Sequence, residues 1–203
     1  MLTKLKEKIQ EILVSEATAF HKLGLTPNAI SLVGIVFAVA SALAYTQWQA
    51  DRLYLLVAVA FLLFSGFCDA LDGVVARVFQ QATDFGGFLD SLLDRYADAA
   101  VYAGIIIGGL CDVTWGLIAL AGSLLVSYSR ARGEAAGIKM ESVGFAERAE
   151  RIIILVVASF VSFFWQPQTT LNWAIILLAI LSNLTVLQRA YYVYKNLKGR
   201  KKP

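Results

Sequence analysis

Residues 66–94 read GFCDALDGVVARVFQQATDFGGFLDSLLD and place acidic residues among apolar and small ones. The stretch runs from the end of one apolar block, 53–78, into the start of the next, 85–109. Each block is long enough to cross a hydrocarbon core of about 30 Å as a helix. An ionised carboxylate at the centre of a membrane costs about 2.5–3.5 kcal/mol. These carboxylates must therefore be protonated, solvated in a cleft, or paired with cations.

The whole chain has the composition of a membrane protein, with 203 residues, 58% hydrophobic content and a mean hydropathy of +0.65. Its apolar residues fall into six blocks: 28–48, 53–78, 85–109, 114–132, 150–166 and 170–193. A chain segment in lipid has to satisfy its own backbone hydrogen bonds, so each block is expected to be a helix. The sequence predicts an all-α integral membrane fold with six transmembrane helices, and short links that make sequential helices antiparallel neighbours.

Residues 1–22 carry apolar side chains at helical spacing and mix lysine with glutamate, which a cleavable signal peptide would not do. This pattern predicts an amphipathic helix in the membrane interface, and the alternative is a disordered tail. The catalytic domain is then expected over 23–203. The N-terminal helix and the six-helix domain are the two parts of the predicted organisation.

Basic residues cluster on the side that would hold both termini and the link at 133–147, and Arg52 stands alone on the other side. By the positive-inside rule the basic side faces the cytoplasm. The sequence therefore predicts a multi-pass protein of the cell membrane whose active site faces the cytoplasm. Such a basic bias suits lipid headgroups and phosphorylated metabolites, and gives no support to nucleic-acid binding.

The acidic residues pair on helix faces, because Asp69 and Asp72 are three residues apart while Asp90 and Asp94 are four apart. Counted from the middle of the link, the four carboxylates form two facing layers separated by about 5 Å. A site built from oxygen alone favours Mg²⁺ or Mn²⁺ over zinc. Arg77 lies five residues beyond Asp72, on the side where it would hold a phosphate.

The spacing of these residues also resembles a known signature, that of the CDP-alcohol phosphotransferase family. The matched positions are Asp69, Asp72, Gly73, Ala76, Arg77, Gly86, Asp90 and Asp94. The resemblance implies a homodimeric enzyme that holds two metal ions, Mg²⁺ or Mn²⁺, and transfers a phosphatidyl-type group from a CDP-lipid to an alcohol. It implies that Asp69, Asp72, Asp90 and Asp94 are metal ligands. Asp94 would also be the catalytic base that accepts the proton of the acceptor hydroxyl.

Carried over position by position, the resemblance also implies a set of CDP-lipid contacts: Asn28, Ser31, Asp69, Gly73, Ala76, Arg77 and Thr83. Asn28 and Ser31 follow Pro27 at the start of a span, where polar residues also serve as helix caps. Thr83 has the same alternative before the third span. The capping role and the nucleotide-binding role both remain open for these three residues.

Arginines crowd the ends of the fourth, fifth and sixth blocks, and this part resembles phosphatidylinositol phosphate and archaetidylinositol phosphate synthases of the same family. That resemblance implies inositol 1-phosphate as the acceptor. The implied contacts are Ser127, Arg130, Arg132, Arg151 and Arg189. Bacterial members tend to carry Lys at position 130. The alternative acceptor is glycerol 3-phosphate, as in phosphatidylglycerophosphate synthase, since arginines suit any phosphomonoester.

A transporter that uses the acidic residues as its ion site is the alternative from another functional class. Such proteins often repeat an interrupted helix in both halves. Here acidic clusters occur only in the second and third blocks, so the sequence favours an enzyme. Whether the lipid chains are ester-linked or ether-linked is left open, because apolar side chains accept both.

Overall fold

The computed structural model of the protein describes residues 14–140 and 143–199, and all of its regular structure within them is helical. A short helix, α1, covers 14–22. Six long helices follow: α2 (Pro27–Thr46), α3 (Leu53–Val78), α4 (Asp84–Ile107), α5 (Val113–Ala135), α6 (Arg148–Phe164) and α7 (Pro167–Gly199). The all-α prediction is confirmed, and each apolar block corresponds to one long helix.

Local sequence explains where several of these helices begin. The side chain of Thr26 caps α2 by accepting a hydrogen bond from the backbone N–H of Ala29 at 3.3 Å, and Pro27 supplies the preset backbone angle of the first turn. Asp112 caps α5 in the same way, accepting from two backbone N–H groups. Pro167 opens α7 directly after the end of α6. These capped starts fix where the polar ends of the helices lie.

The packing of the helices leaves a cleft at the motif. α2 packs against α3 and α4, α5 packs against α4 and α7, and α6 packs against α3 and α7. α3 and α4 are not a closely packed pair, although only 79–83 joins them. The two helices are neighbours at the cleft, where oxygens of Asp69 from α3 and of Asp90 and Asp94 from α4 lie within 4.8 Å of one another. Their close packing is with α2, which contacts both.

Glycines bring α4 against α2 at the far end of the same helix. A Cβ on Gly104 would lie 2.5 Å from the carbonyl oxygen of Ala42, and one on Gly108 would lie 2.5 Å from that of Tyr45. Small residues four apart allow membrane helices to approach this closely. Trp48 strengthens the contact by donating a hydrogen bond from Nε1 to the carbonyl of Gly108 at 2.6 Å. This end of α4 is clamped to α2, while its first half borders the cleft.

The N-terminal helix is described from residue 14 onward, and 1–13 of the predicted amphipathic segment lie outside the described residues. Ala17 in α1 is fully buried and joins a small apolar cluster with Ile30 of α2 and Leu71 of α3. α1 thus covers α2 and α3 near the start of α2.

Three of the described helices, α2, α3 and α7 up to Lys198, are long and apolar enough to cross a membrane. The remaining long helices are shorter or more polar: α6 has 17 residues, and α4 carries acidic residues along its length. Large apolar side chains are widely exposed, among them Val36 at 66%, Phe64 at 54% and Phe160 at 51%. Extensive exposed apolar surface is typical of a protein that faces lipid. These features agree with a membrane protein.

Candidate active site

Four aspartates line the cleft between α3 and α4, and we call Asp69, Asp72, Asp90 and Asp94 the acid cluster. One carboxylate oxygen from each of Asp69, Asp90 and Asp94 lies within 4.8 Å of the other two. Asp72 is only 5% exposed, and the hydroxyl of Ser31 donates a hydrogen bond to its Oδ2. The structure therefore brings the four predicted metal ligands together, with Asp72 held by α2.

The acid cluster occupies two levels. Asp72 and Asp90 line a cavity of about 190 Å³ at the starts of α2 and α4, which we call the large cavity. Asp69 and Asp94 lie beside it and share a different neighbour, since Nη1 of Arg148 is 2.8 Å from Asp69 Oδ1 and 2.7 Å from Asp94 Oδ1. This division sets Asp72 with Asp90 and Asp69 with Asp94, as expected for two facing layers counted from the middle of the link, and each level contains one residue from each helix.

The large cavity also collects most of the predicted CDP-lipid contacts. Six of the seven line it: Asn28, Ser31, Gly73, Ala76, Arg77 and Thr83. The seventh, Asp69, lines the adjoining pocket with the rest of the acid cluster. Residues from three helices and one link thus surround a space next to the carboxylates.

The capping role differs between two of these residues, Asn28 and Thr83. Thr26 rather than Asn28 caps α2, so the Asn28 side chain is not needed for the helix start. Thr83 does cap α4, because its hydroxyl accepts from the backbone N–H of Gly86 at 3.0 Å. A Cβ on Gly86 would lie 3.1 Å from Asn28 Oδ1 and 3.0 Å from Thr83 Oγ1. A larger residue at position 86 would therefore push on both side chains, and glycine lets the two helix starts lie this close together without that displacement.

A second charged group lies among α5, α6 and α7, and we call Arg130, Arg151 and Arg189 the arginine cluster, because their charges are close enough to interact. Arg189 is 2% exposed, donates from Nε to the carbonyl of Val143 at 2.7 Å and from Nη1 to the carbonyl of Val126. Arg151 is 3% exposed. Hydrogen bonds to carbonyls let these charges stay buried.

The loop before α6 covers Arg189. The backbone N–H groups of Phe145 and Ala146 each donate to Thr185 Oγ1 at 3.2 Å. Gly144 has a φ of +149°, and a Cβ there would meet Thr185 Cγ2 at 2.8 Å. The loop can lie against α7, and so accept the hydrogen bond of Arg189, only because this residue has no side chain.

The other predicted acceptor contacts, Ser127, Arg130 and Arg132, differ in their exposure and in the contacts of their side chains. Ser127 is half-buried and shares a face of α5 with Arg130, which pairs with Glu134 at 3.0 Å near the surface. Arg132 lies exposed in the last turn of α5, and among the described residues its side chain makes no ion pair or hydrogen bond. Residues two apart on a helix point in different directions. The structure therefore does not bring Arg132 into the arginine cluster.

Two residues that connect the clusters were assigned no role from sequence, Arg148 and Asp98. Asp98 accepts hydrogen bonds from Arg148 Nε at 3.3 Å, from Arg151 Nη2 at 2.8 Å and from Ser123 Oγ at 2.7 Å. Helical spacing held a signal for both: Asp98 continues the four-residue spacing of Asp94, and Arg148 is three residues before Arg151. The contacts themselves join α4 to α6, and spacing within one helix does not predict contacts between helices.

The acid cluster fits a hard divalent cation. Its donors are all carboxylate oxygens, the ligand type that Mg²⁺ and Mn²⁺ prefer. The cleft already accommodates a cationic group, since Arg148 reaches between Asp69 and Asp94. The residues present therefore suit the metal ions that the sequence predicts.

Comparison with known proteins agrees with this arrangement. Residues 24–185 match the CDP-alcohol phosphatidyltransferase family. The chain is 39% identical over 201 residues to the archaetidylinositol phosphate synthase of Pyrococcus horikoshii, covering 98% of this chain and 99% of that protein. It is 43% identical over 177 residues to the archaetidylinositol phosphate synthase of Methanothermobacter thermautotrophicus, covering 87% of each.

Solved structures are similar over nearly the whole fold. The crystal structure of Mycobacterium tuberculosis phosphatidylinositol phosphate synthase with CDP-DAG bound gives a TM-score of 0.77 at 32% identity, covering 91% of this chain and 94% of that one. A second crystal structure of that protein is a complex with manganese and citrate.

Proposed function

Because the chain belongs to the CDP-alcohol phosphatidyltransferase family, we propose that it transfers a phosphatidyl-type group from a CDP-lipid to inositol 1-phosphate and releases CMP. One observation carries the proposal: the acid cluster lies between the large cavity and the arginine cluster. Asp90 lines the large cavity, and Asp94 contacts Arg148, which shares Asp98 with Arg151. A donor diphosphate and an acceptor phosphate would then meet at the carboxylates from opposite sides.

The acid cluster would hold two divalent metal ions, Mg²⁺ or Mn²⁺. Bound there, the ions would neutralise charge on the diphosphate and stabilise the departing CMP. The manganese complex of the mycobacterial relative and the all-oxygen donor set support this assignment. Ser31 would position Asp72 through its hydrogen bond, so that this ligand stays oriented before substrate arrives.

The large cavity would bind the cytidine and phosphates of the CDP-lipid. Its proposed contacts are the sequence-predicted set: Asn28, Ser31, Asp69, Gly73, Ala76, Arg77 and Thr83. The exposed guanidinium of Arg77 next to Gly73 would hold a phosphate, and the missing Cβ of Gly73 leaves room for it. The CDP-DAG complex of the mycobacterial relative supports this choice of donor. Two relatives are named for archaetidyl products, and we propose an ether-linked donor on that ground.

The arginine cluster, with Ser127, would bind the phosphate and ring of inositol 1-phosphate. We favour Arg151 and Arg189 as the main phosphate ligands, because a charge–charge contact is stronger in a buried site and because Nε of Arg151 has no hydrogen-bond partner among the described residues. Arg132, which the sequence also suggests, has the weakest structural support because it is exposed and two residues from Arg130. Asp94 would take the proton from the acceptor hydroxyl as that oxygen attacks the phosphorus on the lipid side.

We also propose that all six long helices cross the cell membrane, that 1–22 lie in its interface, and that the active site faces the cytoplasm. The basic residues near one end of the bundle support this orientation. The family resemblance further implies a homodimer. Chemical cross-linking in native membranes would test that last point, with a band at twice the chain mass as the expected result.

The function is tested by an acceptor panel with purified protein, Mg²⁺ and either CDP-archaeol or CDP-diacylglycerol. We expect CMP release with inositol 1-phosphate, and none with free inositol or glycerol 3-phosphate. Release with glycerol 3-phosphate alone would contradict the proposed acceptor. An absence of CMP release with every pair of substrates would contradict the transferase function itself.

A further inference from the structure

Arg148 lies between two residues of the acid cluster although it belongs to another helix. It is the first residue of α6, and its side chain is 18% exposed. Nη1 lies 2.8 Å from a carboxylate oxygen of Asp69 on α3 and 2.7 Å from one of Asp94 on α4. A single nitrogen thus bridges two acidic residues from the two walls of the cleft.

The two ends of this guanidinium are bound differently. Nε donates a hydrogen bond to Asp98, which is itself fixed by Ser123 and Arg151. Nη1, despite its short distances, makes no well-directed hydrogen bond to either carboxylate. Its contact with Asp69 and Asp94 is chiefly ionic. Nε is therefore held by hydrogen bonds of the fold, whereas another cation can replace Nη1 between Asp69 and Asp94.

A metal ion and Nη1 compete for the same oxygens. Mg²⁺ binds carboxylate oxygens at about 2.0–2.1 Å, closer than the nitrogen now lies. A divalent ion held by Asp69 and Asp94 would also repel an adjacent guanidinium, because like charges at a few ångströms repel strongly in a partly buried site. The bridging position of Arg148 and an ion between these carboxylates exclude each other.

We propose that Arg148 is a built-in competitor of the metal: it neutralises Asp69 and Asp94 in the metal-free protein and withdraws from them on metal binding. The inference rests on the metal site of the proposed function. Asp98 holds Nε throughout, so the side chain pivots and keeps its place beside Arg151. The competition lowers metal affinity and keeps the facing carboxylates from repelling each other when no ion is present.

The test is a Mn²⁺ titration of the full-length protein in detergent, followed by the electron paramagnetic resonance signal of free Mn²⁺, without CDP-lipid or acceptor. We expect Arg148→Gln to bind Mn²⁺ at least about tenfold more tightly than the wild type, because a repelling charge is removed. The metal-free variant should unfold at a lower temperature than metal-free wild type. Saturating Mn²⁺ should reduce that difference but leave the part that comes from the lost Asp98 contact. Equal or weaker Mn²⁺ binding by the variant overturns the inference.

Arg95→Gln is the matched control, since Arg95 lies 3.8 Å from Asp94, is 34% exposed and bridges no second carboxylate. We expect its Mn²⁺ affinity to change less than about threefold, because an exposed charge is screened. If both variants bound Mn²⁺ more tightly by the same factor, the change in net charge alone would explain the effect. That result would contradict a special role for Arg148 between Asp69 and Asp94.

Arg148→Lys covers the case in which Arg148→Gln does not fold. Lysine keeps one charge, but its single nitrogen cannot hold Asp98 and bridge Asp69 and Asp94 together, so tightening of about threefold is expected. Unchanged affinity in a folded Arg148→Lys variant counts against the inference. If neither wild type nor any variant binds Mn²⁺, the metal site of the proposed function is wrong, which is a different result from equal binding.

Discussion

The acid cluster and the arginine cluster lie within one site but are held in different ways. Asp69 and Asp94 keep 36% and 23% of their side chains exposed, and Arg148 is the cation that bridges them. Arg189 is 2% exposed and is tied to two backbone carbonyls, and Arg151 is tied to Asp98 and to another carbonyl. The carboxylates remain open to a ligand, while the buried guanidiniums already have partners.

This difference separates residues that serve ligands from residues that also hold the fold. A carboxylate that waits for a metal adds little to stability without it, and repels its neighbours. Removing a buried guanidinium leaves unpaired any carbonyl that has no other donor, as for Val143 beside Arg189. Substitutions in the acid cluster should therefore reduce activity, and substitutions of the buried arginines should reduce stability as well.

The largest effect is expected from Asp94→Asn. An amide cannot accept the acceptor proton, so transfer should fall by about 10³-fold, within the range for loss of a general base. CDP-lipid binding should remain largely intact, since Asp94 does not line the large cavity. CMP release and CDP-lipid binding by calorimetry measure the two quantities separately.

Asp84→Asn is the matched control for that substitution. Asp84 lies in the first turn of the same helix, outside the acid cluster, where its charge interacts mainly with the helix dipole. We expect near wild-type transfer. Full activity of Asp94→Asn would refute the role of Asp94 as base. It would also contradict the expectation that substitutions in the acid cluster reduce activity.

Arg189→Gln should have the next largest effect, on stability rather than on chemistry alone. Loss of the guanidinium leaves the carbonyl of Val143 without its donor, whereas the carbonyl of Val126 still accepts from Ser129 Oγ at 2.8 Å. We expect this loss to cost about 1–3 kcal/mol of unfolding free energy. For a chain of this length that corresponds to a fall of about 2–12 °C in the unfolding midpoint. Circular dichroism in detergent measures it.

The control for Arg189 is Arg132→Gln, which removes an exposed side chain that makes no ion pair or hydrogen bond within 14–140 and 143–199, and it should leave the midpoint within about 1 °C. If Arg189→Gln keeps the wild-type midpoint and only raises the KM for inositol 1-phosphate, Arg189 is a binding residue alone. The acid cluster and the arginine cluster would then both serve ligands, and burial would not mark Arg189 as a residue that stabilises the fold.

The extent to which sequence predicts this molecule follows the same division. The six long helices and the acid cluster are predictable, because hydropathy and spacing within one helix determine them. The open cleft between α3 and α4 is not, since it depends on α2 packing against both. Arg148 is likewise missed, because its contacts with Asp69 and Asp94 join residues of three helices and leave no local pattern.

Gly86→Ala tests the large cavity and should have a moderate effect. The new Cβ would press on Asn28 and Thr83, and the packing strain should raise the KM for CDP-lipid about tenfold. Gly87→Ala is the matched control, because it adds a methyl group to the wall of the same cavity at a position where nothing lies within 4 Å of the new Cβ. Equal KM values for both variants would mean that the close approach of the helix starts does not shape the CDP-lipid site.

The smallest effect is expected from Arg130→Lys. Arg130 is the exposed member of the arginine cluster, and its pair with Glu134 is of the kind worth about 0.2–1 kcal/mol. Lysine keeps the charge but loses the two-pronged geometry, so the KM for inositol 1-phosphate should rise less than about threefold, with an unchanged unfolding midpoint. A rise of tenfold or more in steady-state assays, absent from Arg132→Lys, would mean that Arg130 grips the phosphate with two N–H groups. Arg130 would then be an arginine that serves a ligand, as the carboxylates do. Burial, and not the sign of the charge, would separate the residues that bind ligands from those that also stabilise the fold.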